Sequence, residues 1–235
     1  MNFLSHFYFD KENADCYHML GTVLPDLLKN ADKKVILHPE KLQHKKKEIN
    51  SIITGWNKHL EVDRYFHSSN YFITNAHHLK KILLPALNGS PVKPFFLGHI
   101  ALELVLDNLL VTTNKINVES FYNLLEACDL EIIEAFLNFA GLNNTDRFFK
   151  FYNDFVQSKY LFTYSETKQV AYALKRICMR VWQNPFTPEN EELIDQLIFE
   201  YRKTRIEDFV DVFEEIEVKL RTTNSGSSLN INVTR

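Results

Sequence analysis

Three polar residues, His59, Asp63 and His67, recur at intervals of four in the segment "GWNKHLEVDRYFHSSNYF" (residues 55–72), which is otherwise written for burial. On a helix the three stack on one face, with Trp56 and Phe66 at its margin. A second run, "LGHIALELVLDNLL", repeats the interval with His99, Glu103 and Asp107 inside the most apolar stretch of the chain. An unpaired carboxylate is costly to bury, so such groups must be paired, protonated or bound to a cation. Imidazole and carboxylate from facing helices are how helical bundles hold transition metals. Packing the two helices together would set His59 and Asp63 against His99 and Glu103. The same residues also admit a plainer role, as hydrogen-bonded pairs satisfied within a core.

Two further groups are candidates for the same place. "MNFLSH" carries His6 on a short apolar lead, and "GTVLPDLL" carries Asp26 between Pro25 and Leu27-Leu28. All nine histidines fall between His6 and His99, so any chemistry is expected in the first hundred residues.

The elements that must position these groups read as helices. Glycine and proline are scarce, at 6 and 7, and they fall where helices would end rather than at the short spacing of an all-β chain. The expected fold is all-α, a single-domain multi-helix bundle over residues 1–222, followed by a polar, mobile tail over 223–235. "ENADCYHMLGTVLPDLLKN" reads as a helix running into a break between Gly21 and Pro25. A helical stretch from about 40 to 86 is interrupted near "HSSN", and "SPVKPFFLGHIALELVLDNLLV" opens a helix with prolines. Three periodic segments follow over 117–140, 144–162 and 165–182, the first capped by Asn117 or Ser120. A long amphipathic helix over 187–222 closes the fold, acidic at its start and basic at its end.

Composition narrows the class. Three widely spaced cysteines, Cys16, Cys128 and Cys178, suggest neither a disulfide framework nor a zinc-thiolate knuckle and read as reduced thiols. No apolar run is expected to reach the 18 to 20 or so residues that span a bilayer, and the N-terminus lacks the features of a secretory signal. A cytoplasmic protein is therefore expected, without a membrane partner. The net charge of −3 gives no general attraction to nucleic acid, and "HKKKE" at 44–48 reads as a solvated helix face.

The opening "NFLSH", the G-x-x-x-x-D of Gly21 to Asp26, the H-x-x-x-D of His59 to Asp63 and the acid at Glu103 together resemble the acyl-carrier-protein phosphodiesterases. The likeness in spacing continues through the aromatic pattern from Phe148 to Arg180 and covers the chain to about residue 220. It implies an all-helical fold likened to a distorted, metal-dependent HD phosphohydrolase, with His6, Asp26, His59, Asp63 and Glu103 at the metal site. The implied reaction is hydrolysis of the phosphodiester that links 4'-phosphopantetheine to a carrier-protein serine, with acyl carrier protein as partner. Asp63 or Glu103 would accept a proton or orient water, beside a divalent cation, manganese in the first instance, with iron or zinc as alternatives.

The chain departs from that family at several positions. Gly21-Thr22 stands where Gly-Asn is usual, Leu60-Glu61 where Arg-Arg is usual, His67 where Asp is usual, and Leu102-Glu103-Leu104 where Trp-Asp-His is usual. Loss of Arg-Arg removes two positive charges that would meet an acidic carrier protein. His67 and His99 enrich the site in imidazole, which favours zinc, iron or manganese over magnesium. Six residues are thus metal candidates: His6, Asp26, His59, Asp63, His99 and Glu103. His67 has no assigned role. Two other functions stay open, a non-catalytic helical module with a degenerate metal site, and a related enzyme acting on a lipid or nucleotide phosphodiester.

Overall fold

The computed structural model describes residues 1–227, and among them there are eleven α-helices, three short 3₁₀ turns and no strand. The all-α expectation holds. The helices are α1 (Phe3–Tyr8), α2 (Cys16–Ala31), α3 (Lys47–Ser68), α4 (Asn70–Leu83), α5 (Pro94–Thr112), α6 (Val118–Glu126), α7 (Leu130–Phe139), α8 (Asp146–Ser158), α9 (Thr167–Cys178), α10 (Pro188–Arg205) and α11 (Val210–Ser227). Two compact units make up the chain: residues 1–60 with 110–165, and residues 61–109 with those from 166 on. α11 takes in the first five residues of the tail, and residues 228–235 lie outside the described residues.

In the first unit, α2 packs against α1, α6 and α8. Its leucines Leu20, Leu24 and Leu27, with Met19 and Val23, are wholly buried. The expected break between Gly21 and Pro25 does not occur, for α2 continues through Pro25 to Ala31. An interior proline costs a helix about 3 kcal/mol. Each fully buried aliphatic side chain returns roughly 1.5–3 kcal/mol, so the five around Pro25 outweigh it. Gly21 has a separate task. A Cβ there would lie 2.2 Å from the Ile52 carbonyl oxygen, and one on Gly55 would lie 2.0 Å from the His18 carbonyl oxygen, so these glycines let α2 and α3 meet backbone to backbone.

The second unit holds α4, the C-terminal part of α3 and most of α5, with α9, α10 and α11. α3 ends where expected, because Ser69 leaves the helix and caps α4, its hydroxyl accepting from Phe72 N–H at 3.0 Å. α4 and α5 approach closely at Gly98, where a Cβ would come within 2.7 Å of the Ala76 carbonyl oxygen. α5 is apolar on all sides, with a mean hydropathy of 1.6 over 18 residues, and 61% of that window is buried. Contrary to expectation it is long and apolar enough to cross a bilayer, although a helix enclosed by its own protein passes the same test.

Two further boundaries differ from the expected ones. The closing segment is two helices, α10 and α11, separated at 206–209. Arg205 organises that turn: its guanidinium pairs with Asp208 at 2.8 Å and its carbonyl accepts from Phe209 N–H at 3.0 Å. The segment 117–140 is likewise split into α6 and α7. Asn117 caps the first, accepting from Glu119 and Ser120 N–H, and Asp129 caps the second, accepting from Glu131 N–H at 2.9 Å.

Candidate metal centre

α3 turns the four-residue interval into geometry. His59 is 1% exposed, and its Nδ1–H donates to the Thr22 carbonyl of α2 at 2.8 Å. Two turns on, the His67 Nδ1–H donates to the Asp63 backbone carbonyl at 2.7 Å. A carbonyl can only accept, so in each ring Nδ1 carries a proton. Tying Nδ1 to a carbonyl is one way in which proteins orient imidazoles that bind metal.

The second unit brings three such donors together. His67 Nε2 lies 3.1 Å from His99 Nε2 and 3.4 Å from Glu103 Oε1, and His99 Nε2 lies 3.0 Å from the same carboxylate oxygen. Metal–nitrogen and metal–oxygen bonds of about 2.0–2.2 Å place neighbouring ligand atoms about 3.0–3.5 Å apart, whether the polyhedron is octahedral or tetrahedral. All three separations fit. A proton on His99 Nε2, donated to Glu103 at 3.0 Å, satisfies part of this set, and a cation held among the three atoms would satisfy all of it. Burial tends to raise the pKa of Glu103, and the positive charge of the N-terminal amine, followed by the two neighbouring imidazoles, lowers it. The net shift is well below the usual carboxylate range, so Glu103 is an anion at neutral pH. The Phe72 ring meets both imidazoles edge-on, at 4.8 and 4.9 Å between centroids, and walls one side.

In the first unit, His6 on α1 is 1% exposed and stacks on His59, with ring centroids 3.9 Å apart and planes 19° from parallel. Asp63 follows His59 by one turn of the uninterrupted α3, so the two are neighbours on its surface. Asp26 is half-buried on α2, one turn beyond Thr22, and belongs to no convergent set of ligand atoms among the described residues. Asp107 is wholly buried one turn beyond Glu103 and likewise stands outside the ligand sets. His67 had no assigned role in the sequence, yet it is the residue that meets His99 and Glu103. Its phase with His59 and Asp63 was the available signal, but periodicity does not say which turn of α3 faces α5.

A separate charged group lies in the first unit. Asp10, 4% exposed, accepts from Lys58 Nζ at 2.7 Å and lies 3.2 Å from His18 Nε2, and Lys58 also donates to the Phe9 carbonyl at 2.7 Å. It ties the α1–α2 connection to α3 beside His59. The three cysteines are free thiols, and burial pushes that of Cys178 up to about 12.

No family model matches this chain, and no curated protein or solved structure matches it significantly.

Proposed function

We propose that this protein is a metal-dependent phosphodiester hydrolase. The observation that carries the metal is the convergence of His67 Nε2, His99 Nε2 and Glu103 Oε1 within 3.4 Å of one another. Two imidazoles and one carboxylate suit manganese, iron or zinc better than magnesium. The phosphodiester part rests on the resemblance of His6, Gly21 to Asp26, His59 to Asp63 and Glu103 to the acyl-carrier-protein phosphodiesterases. A 4'-phosphopantetheinyl carrier protein is then one substrate of this class, and small phosphodiesters are another. His67, His99 and Glu103 would hold the ion, which when bound supplies a Lewis acid for a phosphoryl oxygen and acidifies a water. The chain's own groups do the rest. The Asp63 carbonyl fixes the proton of His67 on Nδ1, and Glu103 would neutralise one positive charge of the ion.

The test is elemental mass spectrometry on untagged protein purified without chelator, beside Glu103→Gln and His67→Ala. It is paired with hydrolysis of bis(4-nitrophenyl) phosphate and of a 4'-phosphopantetheinyl carrier protein. Near-stoichiometric metal is expected in the parent and little in either variant, with hydrolysis reduced about a hundredfold or more. Folded parent protein that takes up no manganese, iron or zinc would establish the alternative, a helical module whose His-carboxylate groups are core hydrogen bonds. Metal without hydrolysis of either substrate would leave the metal and remove the phosphodiesterase.

A further inference from the structure

We infer that one face of the second unit docks on an anionic lipid bilayer, as a peripheral contact rather than a span. The residues concerned are separate from the metal ligands, and the docking holds whether or not the centre carries an ion. That no membrane partner was expected reflects the length of apolar runs, which does not register an exposed patch assembled from several elements.

Charge is segregated along the chain in a way that the net −3 conceals. From Tyr65 to Leu102 there is no Asp or Glu, only Lys80, Lys81 and Lys93, and from Thr167 to Pro188 there is again none, against Lys168, Lys175, Arg176 and Arg180. Both stretches belong to the second unit, and the fold joins them at one end of it. Gly98 of α5 lies against the backbone of Lys80 in α4, and the Phe96 ring meets Trp182 edge-on with centroids 5.1 Å apart. The Ser90 hydroxyl donates to the Pro185 carbonyl at 2.6 Å. The end of α4, the start of α5 and the turn after α9 thus share one surface.

That surface is left uncovered by the unit's own side chains. Phe95 is 66% exposed, Val181 57% and Met179 48%, beside the half-buried pair Phe96 and Trp182. Apolar groups exposed singly are ordinary, whereas a patch of them rimmed by polar residues marks an interaction site. The turn that carries Val181 is ordered, for the Val181 and Trp182 N–H groups both donate to the Cys178 carbonyl, at 3.0 and 2.9 Å. Among the described residues Lys81, Lys93 and Arg176 enter no ion pair, whereas Lys175 is committed to Glu191 of α10 at 2.6 Å. Charge complementarity then selects the occupant. An anionic bilayer offers phosphate and carboxylate headgroups to the cations and an interfacial layer to Phe95, Val181 and Trp182. A nucleic acid would satisfy the cations alone and leave Val181 and Met179 in water.

The test is co-sedimentation of the full chain with phosphatidylcholine vesicles, with and without phosphatidylserine. Binding is expected only where phosphatidylserine is present, and it should weaken as salt rises. Lys81→Gln combined with Lys93→Gln should weaken it roughly 25-fold, about fivefold per charge. Phe95→Ser should weaken it about tenfold or more. All three positions are exposed, so the variants should stay folded. Brominated acyl chains should quench tryptophan fluorescence in the parent, and Trp182→Phe should remove that quenching. Binding that is indifferent to phosphatidylserine, or that survives these substitutions, overturns the inference. Quenching retained in Trp182→Phe overturns it as well, because the contact then lies elsewhere. DNA binding in place of vesicle binding, unaffected by Phe95→Ser, would assign the cations to nucleic acid. A dimer that Phe95→Ser dissociates, without vesicle binding, would assign the patch to a second copy of the chain.

Discussion

Asp10 shows how a single buried residue of the first unit sets stability. Its carboxylate is buried, and burial alone would raise its pKa. The hydrogen bond from His18 and the ion pair with Lys58 more than reverse that, so its pKa lies below the ordinary value. A depressed folded-state pKa means stabilisation that is fully present above the unfolded value of about 3.9 and is lost as pH falls through the lower folded value. Asp10→Asn is expected to cost about 2–3 kcal/mol at neutral pH, the lower end for a broken buried pair, because Lys58 keeps the Phe9 carbonyl and is itself part-exposed. Urea unfolding at about pH 7 and about pH 3 checks it: the gap between variant and parent should shrink at the acid end. A gap that does not change with pH would mean the loss is one of packing.

Among elements, α2 and α3 depend on contact between backbones rather than between side chains. Gly21→Ala and Gly55→Ala are each expected to destabilise by more than about 3 kcal/mol. The added carbon meets a backbone carbonyl oxygen at 2.2 or 2.0 Å, and no rotamer change relieves that overlap. Denaturant midpoints would show it, and a shift worth less than about 1 kcal/mol for both would mean that the helices separate at little cost. The same glycine shows where a reading of the sequence stops. Gly21 and Pro25 carry the punctuation of a helix end, and only the five buried side chains around them decide that α2 continues. The division between α10 and α11 goes the other way. No Gly or Pro marks residues 206–209, and the turn exists because Arg205, Asp208 and the buried Phe209 hold it. Boundaries announced by local chemistry were legible: the Ser69 cap, Pro94 opening α5, and Asn117 capping α6. At the candidate centre, residue types and their four-residue interval were also legible. Which turn of α3 meets α5 was not, because the register between two packed helices is a tertiary property that the four-residue interval along one of them does not encode.

For the molecule as a whole, a ligand that binds the folded chain alone must raise its stability, so the metal centre has a thermodynamic signature independent of catalysis. With free metal a hundredfold above its dissociation constant, the gain is about 2.7 kcal/mol. In a chain of 235 residues that corresponds to a rise in Tm of about 5–10 °C. α3 and α5 each run without a break through the points where the chain divides into its two compact units, Leu60 to Glu61 and Leu109 to Leu110. Each of these helices contributes buried residues to both units, so one cooperative transition is expected rather than two. Calorimetry with and without manganese or zinc should show that single transition moving as a whole, and Glu103→Gln should abolish the shift while still unfolding cooperatively. Two transitions of which only one moved would localise the binding energy to a single unit and show that the shared helices do not couple them. A shift retained in Glu103→Gln would place the ion away from His67 and His99.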